Sequence, residues 1–437
     1  MKKKVLSVLM AGVMTSALLI GCGSSAPAAA PAEEAAPAEE AVEEAAPAEE
    51  AAVEAPEINA DATGEIKVWV ADNVVDFTNK RVADFMEANP EFAGFTVTVE
   101  PVGEGDAASN MITDVEAGAD IFTFAQDQIA RLVSAGALEE VAPQNAAAIK
   151  AENDPGSVAA ATVGDTLYAY PLTSDNGYFL YYDKSVVTDP SDLDAILADC
   201  EAAGKNFYME INSGWYQTAF FFGAGCELTF NSDNEGQLVA MNSTYASDNG
   251  VKALKSMIKV AASPAFVNGS SISNATNIGA IVDGTWDAGA AKDVFGDNYA
   301  AAKLPTVDGY QLGGFGGFKM LGVKPQTDDD KLAACDALAA YLTSEEVQLA
   351  RYNAVGWGPS NLNAQQNEAV QADEALSALA AQLAFCAPQG QYPGEYWGLA
   401  TALGDDIIAD KLDNADDATL LATLQNFEAT CEGYLVK

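Results

Sequence analysis

What chemistry this chain can do is bounded first by a residue it lacks. Its 437 residues include no histidine. That removes Ser-His-Asp and Cys-His catalysis and the usual histidine-based zinc sites. Besides Cys22 there are five cysteines, Cys200, Cys226, Cys335, Cys386 and Cys431, and none forms a CxxC pair. What remains is carboxylates, amides and aromatic rings. Acidic residues number 64 against 21 basic, for a formal net charge of −43. Nucleic acid is therefore a poor partner, and no basic cluster is visible to hold an anionic small ligand. The composition suits a neutral ligand or a cation, with no metal and no cofactor.

The elements that must position such residues follow an α/β rhythm. "EIKVWV" (Glu65–Val70) alternates as a strand, and a helix over Thr78–Asn89 places Val82, Phe85 and Met86 at helical spacing before an Asn-Pro stop. The strand "FTVTVEPV", a helix near Ala107–Ala117, the strand "ADIFTFA" (Ala119–Ala125) and a helix over Gln128–Ala135 follow. This pattern predicts a doubly wound lobe, whose ligands sit beyond the carboxyl ends of the strands. Those ends are the loops after Val70 and after Phe124. Asp72 and Asn73, in the first of them, can reach ligand hydroxyls.

In "VGDTLYAYPLTSDNGYFLYYDKSVV" (Val163–Val187) a turn at Gly164-Asp165 leads into a strand. The strand pauses at Thr173–Gly177 and resumes at "YFLYYDK", as a crossover between two lobes should. Helix Asp192–Ala203, strand "NFYMEI", loop "NSGWYQ" and a helix near Gly250–Ala262 come next. "NIGAIVDGTWDAGAAKD" predicts a strand, a tight turn at Asp283-Gly284 and a helix from about Trp286. The glycine-rich "LGGFGGFKMLGV" (Leu312–Val323) reads as a second crossover. A folded body from about residue 60 is too long for one ordinary core and suits two lobes. Cys200 and Cys226 flank one helix–strand unit and either pair or stay as buried thiols.

The N-terminus reads as an address and a stalk. Three lysines at 2–4 precede an apolar run, Val5–Ile20, too short to span a membrane comfortably. "LIGC" (Leu19–Cys22) resembles the lipobox of bacterial lipoproteins, which implies that Cys22 carries a lipid anchoring the chain to a membrane. Residues 26–57 are nearly all Ala, Pro and Glu, a composition that cannot offset its ordering entropy and serves as an extended linker.

The ordered segments resemble family 1 extracellular solute-binding proteins, the group that includes maltose- and maltodextrin-binding proteins. The resemblance covers nearly the whole body, from about Glu65 onward. It rests on the first strand with Trp69, "ADIFTFAQDQIARLVSAGALEEV", "GDTLYAYPLTSDNGYFLYYDK", "DGTWDAGAAK" with "AAKLPTVDG", "YLTSEEVQLARYNAVGWGPSN" and "YWGLATAL". It implies a two-lobed α/β fold of the periplasmic-binding type with hinge crossovers. The expected boundaries are 1–22 for the signal peptide and 23–60 for the linker. Residues 61–173 plus 319–368 form one lobe, and 174–318 plus 369–437 the other. It also implies a monomer that captures oligosaccharide, most directly maltodextrin, in the cleft and delivers it to an ABC permease.

A sugar site needs flat aromatic faces and groups that exchange hydrogen bonds with hydroxyls. The resemblance places the aromatic platforms at Trp286, Trp397 and Trp215, with Tyr216 beside the last and Phe124 where the maltose binder has tryptophan. It places sugar-binding carboxylates at Asp127 and Asp175, with Glu395 a weaker position. This chain departs from the maltose binder in having Gln128 and Thr401 where that protein has arginines, and Ser213 where it has glutamate. The platforms are therefore kept better than the charged contacts, and three indoles on separate loops suit several sugar rings in a row. The alternatives are a binder of another oligosaccharide, peptide or polyamine, a surface adhesin, and a glycoside hydrolase built on Asp127 and Asp175.

Overall fold

The computed structural model describes Asn59, residues 61–233 and residues 237–436. The signal, the linker and Cys22 lie outside the described residues. No helix among the described residues is long and apolar enough to cross a membrane.

The first lobe grows from the strand Gly64–Val70, whose Ile66, Val68 and Val70 alternate into the core. It pairs in parallel with Phe95–Pro101 on one side and with Ile121–Ala125 on the other. The central Ile121–Ala125 strand is buried on both faces, as helix-covered parallel strands are. The first helix runs Val75–Ala88, three residues ahead of expectation, because a 3₁₀ turn at Asp72–Val74 feeds straight into it. The next helix spans Glu104–Thr113, not Ala107–Ala117. Gly103 is extended at its start, and two acids sit in the first turn where the helix dipole favours them.

Two long strands join the lobes. Tyr170–Asp183 is one unbroken strand, not the two pieces expected around Thr173–Gly177. The polar stretch stays extended because its backbone finds partners in the second crossover, Gly314–Val323: Thr173 pairs with Lys319, Asn176 with Gly317 and Gly177 with Gly316. From Tyr178 onward the same strand pairs with Ile278–Gly284 and becomes part of the other lobe's sheet. Glycine gives the room needed where the crossovers pass under a helix. A Cβ at Gly177 would stand 2.8 Å from Leu379 Cδ1 and 3.2 Å from the Phe315 carbonyl.

The sheet of the second lobe continues through Ile278–Gly284, Asn206–Tyr208 and Phe266–Val267. The turn expected at Asp283-Gly284 is still strand, since both residues pair with Phe179 and Tyr178. The chain bends one step later, in a 3₁₀ turn at Thr285–Asp287. The apolar run "TAFFFG" forms the helix Thr218–Gly223. All five cysteines of the body are free thiols, which removes the Cys200–Cys226 pairing. Cys200 is instead packed on Gly279, where an added Cβ would meet its Sγ at 2.7 Å.

Candidate functional site

A cavity of about 580 Å³ opens between the lobes at the carboxyl ends of the first-lobe strands. From that lobe come Asp72 and Asn73 after Val70, Glu104 at a helix start, and Asp127 and Gln128 after Ala125. The facing wall carries Trp215, Trp286, Asp287, Gln389 and Trp397, and the crossovers supply Asn176 and Lys319.

The three half-buried indoles are held by packing beneath them. Trp286 sits in the 3₁₀ turn after Gly284 and folds back over that glycine. A Cβ there would fall 2.1 Å from its ring, so no other residue lets the ring lie flat. Trp215 precedes the Thr218–Gly223 helix, meets Tyr178 edge-on at 4.6 Å and stands 5.7 Å from Trp286. Trp397, in the first turn of the Gly394–Ile408 helix, packs edge-on against Tyr396 at 4.9 Å and lies 5.6 Å from Tyr392. Asn73 Nδ2 donates to the Trp286 carbonyl at 3.4 Å, so one platform is tied to the opposite lobe.

The polar centre is Asp127, 2 % exposed. Its Oδ1 accepts from Gln389 Nε2 at 2.7 Å, and its Oδ2 accepts from Gln128 Nε2. Burial pushes the Asp127 carboxyl up to about 7. Its own amide, Gln128, the Arg131 charge and Gln389 oppose this without overcoming it. Gln389 Oε1 accepts in turn from Trp215 Nε1 at 3.0 Å and from Asn176 Nδ2 at 3.4 Å. One carboxamide thus connects a carboxylate of the first lobe, a crossover strand and an indole of the second lobe.

Six of the residues expected at a site line this cavity: Trp286, Trp397, Trp215, Asp127, Asp72 and Asn73. Four do not, and for Phe124 and Asp175 the next residue in the chain lines the cavity instead. Phe124 is fully buried beside Phe122, while its neighbour Ala125 faces the cavity. Tyr216 is buried under Trp215 and against Tyr178. Asp175 turns away from the cavity, 1 % exposed, and accepts from Thr285 Oγ1 at 2.6 Å and from the Gly358 amide, while Asn176 reaches the cleft. In the strands that carry Phe124 and Asp175, adjacent residues point to opposite faces, so a one-residue offset moves a side chain from ligand to core. Glu395 is exposed and outside the lining. Because Asp175 is turned away, it does not face Asp127 as a hydrolytic pair would need.

Sequence reasoning missed Lys319, Trp357, Gln389, Glu104 and Asp287, all of which line the cavity. Lys319 carried a signal, as the one charged residue inside the glycine-rich crossover. Trp357 lay in "GWGPSN", and Gln389 had no local signature. Among the described residues, no group of His, Cys, Asp and Glu could hold a metal ion.

A two-lobed α/β body with hinge crossovers and a cleft at its strand ends is the architecture of a binding protein. The family model described as bacterial extracellular solute-binding protein matches residues 80–378, and the chain belongs to that family, whose members bind solutes rather than transform them. A galactooligosaccharide-binding protein of Bacillus subtilis (strain 168) is 24 % identical over 322 residues, 68 % of this chain and 73 % of that one. A maltodextrin binding protein from L. casei BL23, solved without ligand, superposes with a TM-score of 0.69 at 23 % identity, covering 85 % of this chain and 99 % of that one. The Thermus thermophilus maltotriose binding protein, bound with maltotriose, gives 0.71 at 20 % identity, covering 84 % and 99 %. These structural likenesses establish the fold.

Proposed function

We propose that this chain is the capture subunit of an ABC importer for an oligosaccharide, with maltodextrin the first candidate. The supporting observation is the convergence of three indole faces with carboxylates and amides from both lobes around one cleft. Indoles cover the apolar faces of sugar rings, and Asp127, Gln389, Asn176 and Asp72 exchange hydrogen bonds with hydroxyls. The lobes comprise 61–173 plus 319–368 and 174–318 plus 369–437. Ligand touches both and shifts the population toward closure, and the permease reads the closed shape. The protein works as a monomer, held at the extracellular face of the cell membrane through lipid on Cys22. A galacto-oligosaccharide is the second reading, favoured by the Bacillus subtilis relative. The test is a thermal-unfolding panel of the soluble body with maltodextrins, galacto-oligosaccharides, putrescine and a peptide pool. A ligand that binds only the folded state raises the unfolding temperature. Upshifts confined to oligosaccharides support the reading, and upshifts confined to putrescine or peptides overturn it.

A further inference from the structure

Lys319 stands apart from every other buried cation near the crossovers. It is 5 % exposed and lines the cleft. Among the described residues its ammonium has neither an ion-pair partner nor a hydrogen-bond acceptor. Lys324, on the same stretch of chain, shows what a structural lysine looks like here. Its ammonium donates to the carbonyls of Glu116 at 3.1 Å and Gly118 at 3.3 Å and lies 3.5 Å from Asp120. Lys319 has only ring faces: its Nζ is 3.7 Å from the centroid of Trp357 and 5.3 Å from that of Trp286.

The backbone aims it there. The pairing of the two crossover strands slips between Gly317 and Lys319 and again between Lys319 and Met320, and such irregularities redirect a side chain. Trp357, 2 % exposed, is therefore no fourth platform, since its open face is already covered by the ammonium. The indole faces attract the ammonium but offer it no hydrogen-bond acceptor, so its donors stay open to the cleft. A ligand oxygen entering the cleft can take them up.

We infer that Lys319 is a specificity-determining ligand contact: seated on Trp357, it donates to a hydroxyl or ring oxygen of a sugar stacked on Trp286. This rests on the oligosaccharide reading and adds a polar anchor to it. The anchor selects ligands that offer an oxygen acceptor at this point over ligands that present an amine.

The test compares the parent with Lys319→Met, which keeps the stem on Trp357 and deletes the donors. Lys319→Gln is the second variant should the first not fold, and circular dichroism monitors folding. Calorimetry is run with maltotriose, the galacto-oligosaccharides and monodeoxy maltotrioses. Loss of a charge-assisted hydrogen bond predicts affinity weaker by roughly 10- to 100-fold. It also predicts that one deoxy position, costly to the parent, costs the variant nothing, a coupling that a structural role would not produce. A parent that binds sugar while the variant binds within about twofold, with no such coupling, overturns this inference alone. A parent that binds none of the sugars overturns the oligosaccharide reading and this inference with it.

Discussion

The Asp127 carboxyl makes stability depend on pH in a direction that can be worked out. The ordinary value of 3.8 describes the unfolded chain, and burial pushes the folded value to about 7. Below 3.8 the group is protonated in both states and has no effect. Between 3.8 and about 7 the unfolded chain releases its proton while the folded chain keeps it, so stability falls as pH rises, and it levels off above 7. Over pH 5 to 8 this single group removes about 3 kcal/mol. Asp127→Asn has no charge to desolvate, and its oxygen can still accept from Gln389 Nε2. Urea unfolding of the ligand-free body from about residue 60, at pH 5, 6, 7 and 8, reads the difference. The variant should gain on the parent by about 3 kcal/mol between pH 5 and 8. Asp336, pushed up to about 6 chiefly by burial, and Asp283, also raised by burial and by Asp287, titrate in both proteins and cancel from the comparison. Parallel stability curves would refute the reasoning, because Asp127 would then be ionised in the folded protein throughout.

Other outcomes follow from the same structure. Trp286→Ala and Trp397→Ala should each weaken oligosaccharide binding at least tenfold while leaving the circular dichroism unchanged, because an exposed stacking face is lost and the packing beneath it stays. Asp120 is buried, but Lys331 at 2.9 Å, the Lys67 amide at 2.8 Å and Lys324 hold its carboxyl below the ordinary value. Its contribution is present above 3.8 and lost as pH falls further. Asp120→Ala should cost about 3 kcal/mol or more at pH 7 in urea unfolding, since two cations lose their partner. Thiol titration of the soluble body should find all five cysteines reducible to no further extent, slow to react when folded and fully reactive in denaturant.

Much of the fold was legible because its signals are local. Alternation marked Gly64–Val70, the Asn-Pro stop marked the end of the first helix, and the glycine-rich run marked the second crossover. The continuity of Tyr170–Asp183 was not legible. A polar "TSDNG" reads as a break by composition, and only pairing with a distant strand keeps it extended. The site divides in the same way. Trp215, Trp286 and Trp397 are large rings in short turns or at a helix start, and all three line the cleft. Phe124 and Asp175 lost their place through the parity of an extended chain, which a resemblance fixes only to within a residue, and Tyr216 lost its place by packing under Trp215. Gln389 is defined by contacts with residues far away in the chain, so composition and spacing carried no statement of its role, while Lys319 was marked only as the one charge in the glycine-rich run.

The most direct test is intrinsic tryptophan fluorescence of the ligand-free body titrated with glucose, maltose, maltotriose and longer maltodextrins. The parent is run beside Trp286→Ala. The account predicts a saturable change with an oligosaccharide, little or none with glucose, and a curve displaced to at least tenfold higher concentration in the variant. Unchanged parent fluorescence with every maltodextrin would contradict the maltodextrin claim, and saturation at the same concentration in Trp286→Ala would contradict the cleft as the place where sugar binds.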